Sequence, residues 1–353
     1  MDTLILEKKN EVYITVDCDP SIQREISEFF TFYVPGYKFM PAFRNRMWDG
    51  KIRLFSQKTK EIYFGLYPYI RAFAEERGYK IVAGKDVEVN NKVDRDIVTK
   101  FSNSLGQKFE ARDYQIDAIY HSLKFNRALL LSPTASGKSF IIYALIRYYS
   151  HLIKDKPNNR ILLIVPTTSL VEQMYSDFQS YGWNVKKNCH RLYSGYSNQT
   201  DKKVLISTWQ SLYKLPKKYF EQFGCVFGDE AHLFKSKSLT EIMSKLEDCK
   251  YRIGLTGTLD GALTHKLVLE GLFGAVNKVT STRKLMDKQQ LSNLVVRCLI
   301  LKHTDENCKM VASGKYQDEI DYLVSSVSRQ NFIRNLALKL KGNTLVLFQL
   351  VEK

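Results

Sequence analysis

The chain has 353 residues, 44% of them hydrophobic and 25% charged, which is enough for two or three domains with their own cores. Its formal charge of +16 and pI near 9.4 favour a polyanionic partner, nucleic acid before an anionic membrane. No apolar run nears the roughly 20 residues that span a bilayer, and no signal-peptide pattern opens the chain, so a membrane partner is excluded. Six cysteines without C-x-x-C spacing and six unclustered histidines argue against structural zinc and for a reducing compartment.

In chain order, Glu11 to Asp17 alternates as a strand does, and Asp19-Pro20-Ser21 opens a helix with Ile22, Ile26, Phe29 and Phe30 on one face. Between Gly36 and Lys60 the charge turns basic: Lys38, Arg44, Arg46, Lys51, Arg53, Lys58 and Lys60 stand against one acid, Asp49. Tyr37, Phe39, Phe43, Trp48 and Phe55 interleave with them. Bases mixed with aromatics in a short β-rich segment suit a nucleic-acid surface, with Lys38, Arg44, Arg46, Trp48, Lys51 and Arg53 as the contacts. A small sheet with an aromatic core and solvated lysines is the alternative. Residues 62–78 read as a turn and a helix, and 86–107 as a linker or short helix.

After a helix with Ile116, Ile119, Tyr120 and Leu123 on its apolar face comes the buried run Ala128 to Leu131. It leads into Ser132-Pro133-Thr134-Ala135-Ser136-Gly137-Lys138-Ser139 and then a buried helix. Strand, small-residue loop and helix form the context of a phosphate-binding loop. Backbone N–H groups at the helix start converge on an anion. Gly137 lets the chain close around phosphates, Lys138 reaches the β- and γ-phosphates, and the Ser139 hydroxyl can ligate Mg2+. Ser132 stands where a first glycine is usual.

Strands follow at 160–165 and 204–207. A third, 224–228, delivers Asp229-Glu230-Ala231-His232 at its carboxyl end, where open α/β sheets bind ligands. Asp229 is placed to hold Mg2+, and Glu230 to orient and deprotonate a water. A further strand, 251–255, ends in Thr256-Gly257-Thr258. Strands alternating with helices imply an α/β, doubly wound and mostly parallel sheet. Beyond Gly261, Leu294 to Leu301 is a strand candidate, Tyr316 to Leu340 is helical, and Asn343 to Gln349 reads as a fresh buried strand. The expected domains are 1–100, 101–290 and 291–353.

Gln115, Ser132–Ser139, Pro166–Leu170, Thr208–Leu212, Asp229–His232 and Thr256–Thr258 stand in the order found in superfamily 2 helicases and translocases, which the chain resembles over about 109–349. The resemblance implies an α/β, RecA-like doubly wound parallel sheet, a P-loop NTPase lobe, behind a small α+β DNA-binding domain, with ATP and Mg2+ as cofactors. Gln115 would read the adenine edge with Arg112 nearby, and Thr134, Ala135, Ser136 and Gly137 would join Lys138 and Ser139 around the phosphates. Thr167, Thr168, Thr208 and Gln210 would lie near the DNA backbone. His232 would join Lys138, Asp229 and Glu230 in the catalytic set, and with Thr256 and Thr258 would couple the ATP site to movement.

Gly36 to Phe39, Phe43-Arg44, Trp48 to Leu54 and Phe64 to Leu66 resemble the small domain of UvsW-type helicases, the T-even phage recombination and repair family. That implies ATP-driven remodelling of branched DNA such as forks, Holliday junctions and R-loops, in the bacterial host cytoplasm. The family's second lobe carries an arginine finger, worth roughly 10³–10⁵ in rate in related NTPases. The sequence ends in what reads as that lobe's first strand. The expectation is therefore weak ATP binding, poor hydrolysis and no translocation by these residues alone, with a longer natural protein or a second polypeptide supplying the rest. A non-catalytic DNA-binding or annealing module with a vestigial nucleotide site is the alternative. A restriction-type translocase lacks support, since no P-D-x-E-x-K nuclease motif occurs.

Overall fold

The computed structural model describes residues 2–259, 261–292 and 295–347. Two compact units are present, Met1–Ser292 and Asn293–Lys353. Among the described residues, the first unit holds all the sheets.

Its N-terminal strands are β1 (Thr3–Lys8), β2 (Tyr13–Asp17), β3 (Thr31–Tyr33), β4 (Lys51–Arg53), β5 (Phe55–Ser56), β6 (Glu61–Tyr63) and β7 (Lys80–Ala83). Five of them form a sheet ordered β5-β6-β2-β1-β7, while β3 and β4 pair alone. The alternation of β1 and β2 sends Leu4, Leu6, Ile14 and Val16 to one face. The helices Pro20–Phe29 and Tyr67–Arg77 contribute Ile22, Ile26, Ile70 and Phe73 to the same core. Asp19 caps the first helix by accepting from the Ser21 N–H at 2.8 Å.

The basic segment departs from the β-rich expectation. Residues 37–39 and 41–44 are short helical turns, and the β ladder begins only at Lys51. Pro41 starts one turn, and left-handed backbone at Gly36, Arg46 and Gly50 folds the chain back between them. Within 86–107 the polar stretch holds a helix, Arg95–Asn103, capped by Asp94.

The second sheet comprises β8 (Arg127–Leu131), β9 (Arg160–Val165), β10 (Cys189–Leu192), β11 (Val204–Thr208), β12 (Phe223–Gly228), β13 (Tyr251–Thr256) and β14 (Val276–Lys278). It is parallel throughout, in the order β10-β11-β9-β12-β13-β8-β14. The central strands are buried along their length, which accounts for their unbroken apolar runs. Crossovers in both directions make this a doubly wound α/β sheet. No helix among the described residues is long and apolar enough to cross a membrane.

The small sheet is bound to the parallel one through buried charge. Arg252, 0% exposed, lies opposite Arg127 in the β13–β8 register. Arg252 donates to the carbonyls of Leu272, Leu246 and Met243 at 2.8–2.9 Å. Burial, with Arg127 adding to it, pulls its guanidinium down to about 10. Arg127 meets Glu11, just before β2, at 2.9 Å and lies 4.4 Å over the Phe64 ring. Burial alone would raise the Glu11 carboxyl, but Arg127 and Lys8 hold it below its ordinary value. Tyr69 donates to Glu270 at 2.6 Å, and a Cβ on Gly65 would lie 1.9 Å from the Glu270 carbonyl oxygen. Backbone meets backbone there, and a single apolar cluster runs from Leu4 to Phe273 across the junction.

The second unit contains three helices, Asp305–Ala312, Tyr316–Ser325 and Val327–Lys339, none with a buried residue among those described. The long helix expected over 316–340 is interrupted at Ser326. Residues 295–301, expected as a strand, are not one: Val295, Val296 and Ile300 are exposed, and no neighbouring strand among the described residues completes a ladder. Leu294 lies outside the described residues. Residues 343–347 are likewise exposed and irregular, and Phe348 and Gln349 lie outside the description.

Glu11→Ala should leave two neighbouring guanidinium groups buried without their carboxylate. We expect a loss of about 3–5 kcal/mol in denaturant unfolding, the usual cost of breaking a buried pair. Limited proteolysis should then release the first 85 or so residues before the parallel sheet. An unchanged unfolding curve would show that the contact carries no stability.

Candidate nucleotide site

Three strand ends build the site. β13 lies directly beside β8, and β12 beside β13, so the loop after β8, the acidic pair after β12 and the Thr-Gly-Thr segment after β13 share one edge. The Ser132 N–H donates to the Thr256 carbonyl at 2.8 Å. A Cβ on Gly257 would lie 3.7 Å from both the Lys138 ammonium nitrogen and the Ser132 carbonyl oxygen.

The loop holds its shape by its own serines. Ser132 and Ser136 hydroxyls meet at 2.6 Å, and Ser136 also donates to the Pro133 carbonyl at 2.6 Å. Ser132 is fully buried, so its hydroxyl occupies the place of the missing first glycine with a partner to satisfy it. Ala135 (φ 63°) and Gly137 (φ 79°) are both left-handed. Alternation of left- and right-handed residues turns successive N–H groups inward, the concavity that accepts anions. The helix Lys138–Leu152 then begins, buried on nearly every side.

Gln115 is 3% exposed and clamps this loop. Its amide nitrogen donates to the Ser136 carbonyl at 2.9 Å, while its amide oxygen accepts from the Arg112 N–H at 3.0 Å. Tyr114 donates to the same Ser136 carbonyl at 3.1 Å, and the Arg112 guanidinium donates to Tyr114 at 2.7 Å. A Cβ on Gly137 would sit 2.4 Å from the Gln115 amide nitrogen, so glycine is required there by contact as well as by φ.

Lys138 reaches across to Glu230 at 3.1 Å. Glu230 itself is left-handed (φ 50°), an uncommon state for a residue with a side chain and one that concentrates at functional sites. Its other oxygen lies 3.3 Å from His232 Nδ1. The same nitrogen is 3.0 Å from the Thr256 hydroxyl, which donates to the Thr258 carbonyl at 2.8 Å. Because that hydroxyl proton is committed to Thr258, His232 donates from Nδ1, and a chain of contacts runs Glu230–His232–Thr256–Thr258.

Asp229 is 3% exposed, and burial pushes its carboxyl up to about 6; Lys138 opposes the rise and Glu230 adds to it. Its buried Oδ1 has no hydrogen-bond partner among the described residues. An unpartnered carboxylate oxygen beside a phosphate loop, with a serine hydroxyl at the start of the next helix, is the oxygen donor set that suits Mg2+. Ser139 itself bonds the Tyr181 hydroxyl at 2.9 Å. Tyr181 belongs to an aromatic cluster with Phe109, Phe140 and Tyr143, and nothing in its spacing marked it in the sequence.

The expected DNA residues divide. Thr167 caps the helix Thr168–Ser180 at the end of β9 and is exposed, as is Gln210 after β11. Thr208 is buried and shares a 3.1 Å contact with Ser211. In the small domain, Arg53 is tied to Asp49 at 2.5 Å, and Lys51 lies 5.0 Å over Tyr33. Lys38, Arg44, Arg46 and Trp48 instead line one concavity, far along the chain from the nucleotide loop.

A family model described as "DNA helicase UvsW, N-terminal" matches residues 6–84, and one described as "Type III restriction enzyme, res subunit" matches 108–261. The ATP-dependent DNA helicase uvsW of Enterobacteria phage T4 is 33% identical over 352 residues, covering 96% of this chain and 69% of that relative. A crystal structure of the T4 UvsW helicase superposes with a TM-score of 0.71 at 33% identity, covering 79% of this chain and all of that one. A second T4 UvsW structure also gives 0.71, at 31% identity, over 96% of this chain and 67% of that one. A DNA 3'-5' translocase, XPB2 of Sulfurisphaera tokodaii, is 27% identical over 155 residues, 43% of this chain and 31% of that relative. With one relative a third identical over 96% of this chain and 69% of that relative, the chain belongs to the UvsW-type family of ATP-dependent DNA helicases.

Proposed function

We propose that the three strand ends form a Mg2+-dependent ATP hydrolysis site that drives remodelling of branched DNA in a bacterial host's cytoplasm. The observation that carries this reading is the 3.1 Å pair between Lys138 and Glu230 at the mouth of the loop. A polyphosphate seated on the loop N–H groups competes for Lys138, and Glu230 is released to orient and deprotonate a water, work worth about 10²–10⁴ in rate. Asp229 and Ser139 would hold Mg2+, which when bound neutralises charge on the phosphate oxygens. Gln115, with Arg112 and Tyr114, keeps Thr134 to Gly137 in the phosphate-binding shape. Departure of Glu230 from Lys138 alters its contact with His232, and Thr256 and Thr258 carry that change to the end of β13.

Residues 1–100 serve as the DNA-binding domain, 101–290 as the motor lobe and 291–353 as a linker and the start of a second RecA-like lobe. Lys38, Arg44, Arg46, Trp48, Lys51 and Arg53 face DNA on the small domain, and the exposed Thr167 and Gln210 line its path on the lobe, where Thr208 is buried against Ser211. Two DNA surfaces on one compact unit suit a substrate with more than one arm, which supports branched DNA over a plain duplex.

Gly137→Ala should cost about 1–2 kcal/mol from its left-handed backbone alone. Its added methyl displaces Gln115, so the rise in melting temperature on adding ATP and Mg2+ should vanish. A full ATP-dependent rise would exclude the loop as the nucleotide site. For Lys138→Ala, ATP turnover should be measured with and without a forked DNA. Turnover by the unsubstituted chain should be stimulated by the fork, and the substitution should abolish it while fork binding survives. Fork binding with no turnover in either protein would favour a binding module instead.

A further inference from the structure

The concavity on the small domain holds about 600 Å3 and is lined by Lys38, Phe43, Arg44, Arg46, Met47, Trp48 and Asp49. That volume lies within the range of sites for small ligands. Among the described residues no carboxylate pairs with Lys38, Arg44 or Arg46, whereas the one lining acid, Asp49, is taken by Arg53 at 2.5 Å and the Lys51 N–H at 3.1 Å. The charge presented by the pocket is therefore that of three free cations.

Its walls are apolar and held in place. The Trp48 indole donates to the Lys51 carbonyl at 2.9 Å. Phe43 packs edge-on to Tyr37 at 4.8 Å, and Tyr37 stacks on Tyr33 at 4.6 Å. A Cβ on Gly50 would come 2.3 Å from the Tyr37 ring, so the ring lies directly on the backbone. At the rim Met47 is 81% exposed and neighbouring Phe39 84%.

Cations alone would suffice for the backbone of a duplex. Ring faces and a thioether among those cations have no use there, because paired bases keep their faces inside the stack. An unstacked base can lie on such faces while its phosphates meet the cations. We infer that this pocket takes an unpaired nucleotide at the boundary between duplex and single strand, with the base against Trp48, Phe43 and Met47 and the phosphates on Lys38, Arg44 and Arg46. The inference rests on the reading that the small domain binds DNA, and adds what form of DNA it selects.

The test uses the full chain and three labelled DNAs matched in phosphate number. One is a fork with a single-stranded arm, one the same fork with abasic sites at the unpaired nucleotides beside the junction, and one a fully paired branched DNA. Trp48→Leu should weaken binding to the first about tenfold, within the range of one lost base–aromatic stack, and leave the other two unchanged. Met47→Ala, at a site too exposed to affect folding, should act in the same direction, so the outcome stands even if Trp48→Leu misfolds. Equal loss on paired and unpaired DNA, or no loss on the abasic fork in the unsubstituted chain, would overturn the inference. Arg44→Ala combined with Arg46→Ala should weaken all three and lower the slope of log affinity against log salt by about one per arginine. If that double variant bound every DNA normally, the DNA-binding reading of the small domain would fall first.

Discussion

Two guanidinium groups lie side by side beneath the motor strands, and most of the unit's architecture answers to them. Arg127 opens β8, whose far end becomes the phosphate loop, and Arg252 sits opposite it near the start of β13, whose far end becomes Thr256-Gly257-Thr258. Arg252 exhausts three backbone carbonyls, and Arg127 takes the carboxylate of Glu11 from the small domain. A buried cation left unpaired costs several kcal/mol. The small domain is therefore part of the charge balance of the sheet.

At the opposite end of the same strands the constraint is backbone conformation. Ala135, Gly137 and Glu230 all hold left-handed φ values around the site. Such residues persist only where neighbours over-determine them. Here the neighbours are visible: the Ser132–Ser136 pair, the double acceptance by the Ser136 carbonyl from Gln115 and Tyr114, and the Lys138–Glu230 contact. Glycine-poor loops need such props, and the serines supply them within the loop itself.

Much of this was legible because parallel strands buried on both faces must be apolar throughout. Arg160 to Val165 and Tyr251 to Leu255 stood out for that reason, and the chemistry-bearing residues fall at their ends, where sequence order alone can find them. Gln115 was found by its place ahead of the loop, yet its contacts with Ser136 and Arg112 depend on a fold that brings residue 115 against residue 136. Tyr181, Arg127 and Arg252 carried no local signal, since a buried arginine looks like any other until its carbonyl partners are assembled. The basic segment misled in shape, because aromatic and basic residues read as strand while Pro41 and the left-handed Gly36, Arg46 and Gly50 decide for turns. Leu294 to Leu301 and Asn343 to Gln349 have strand-like composition, but a strand is a property of a pair, and among the described residues no partner is there.

The contact chain through His232 explains why the acidic pair and the Thr-Gly-Thr segment belong to one device. Glu230 has two oxygens, one on Lys138 and one beside His232. The two contacts share one carboxylate, on a residue whose backbone is held in a sparsely populated conformation. His232 is tied in turn to Thr256, and the Ser132 N–H bonds the Thr256 carbonyl, so the loop closes on itself through β13. The loop, Glu230 and β13 are thus linked by contacts at one edge. The small domain grips the same strands at their other ends through Arg127.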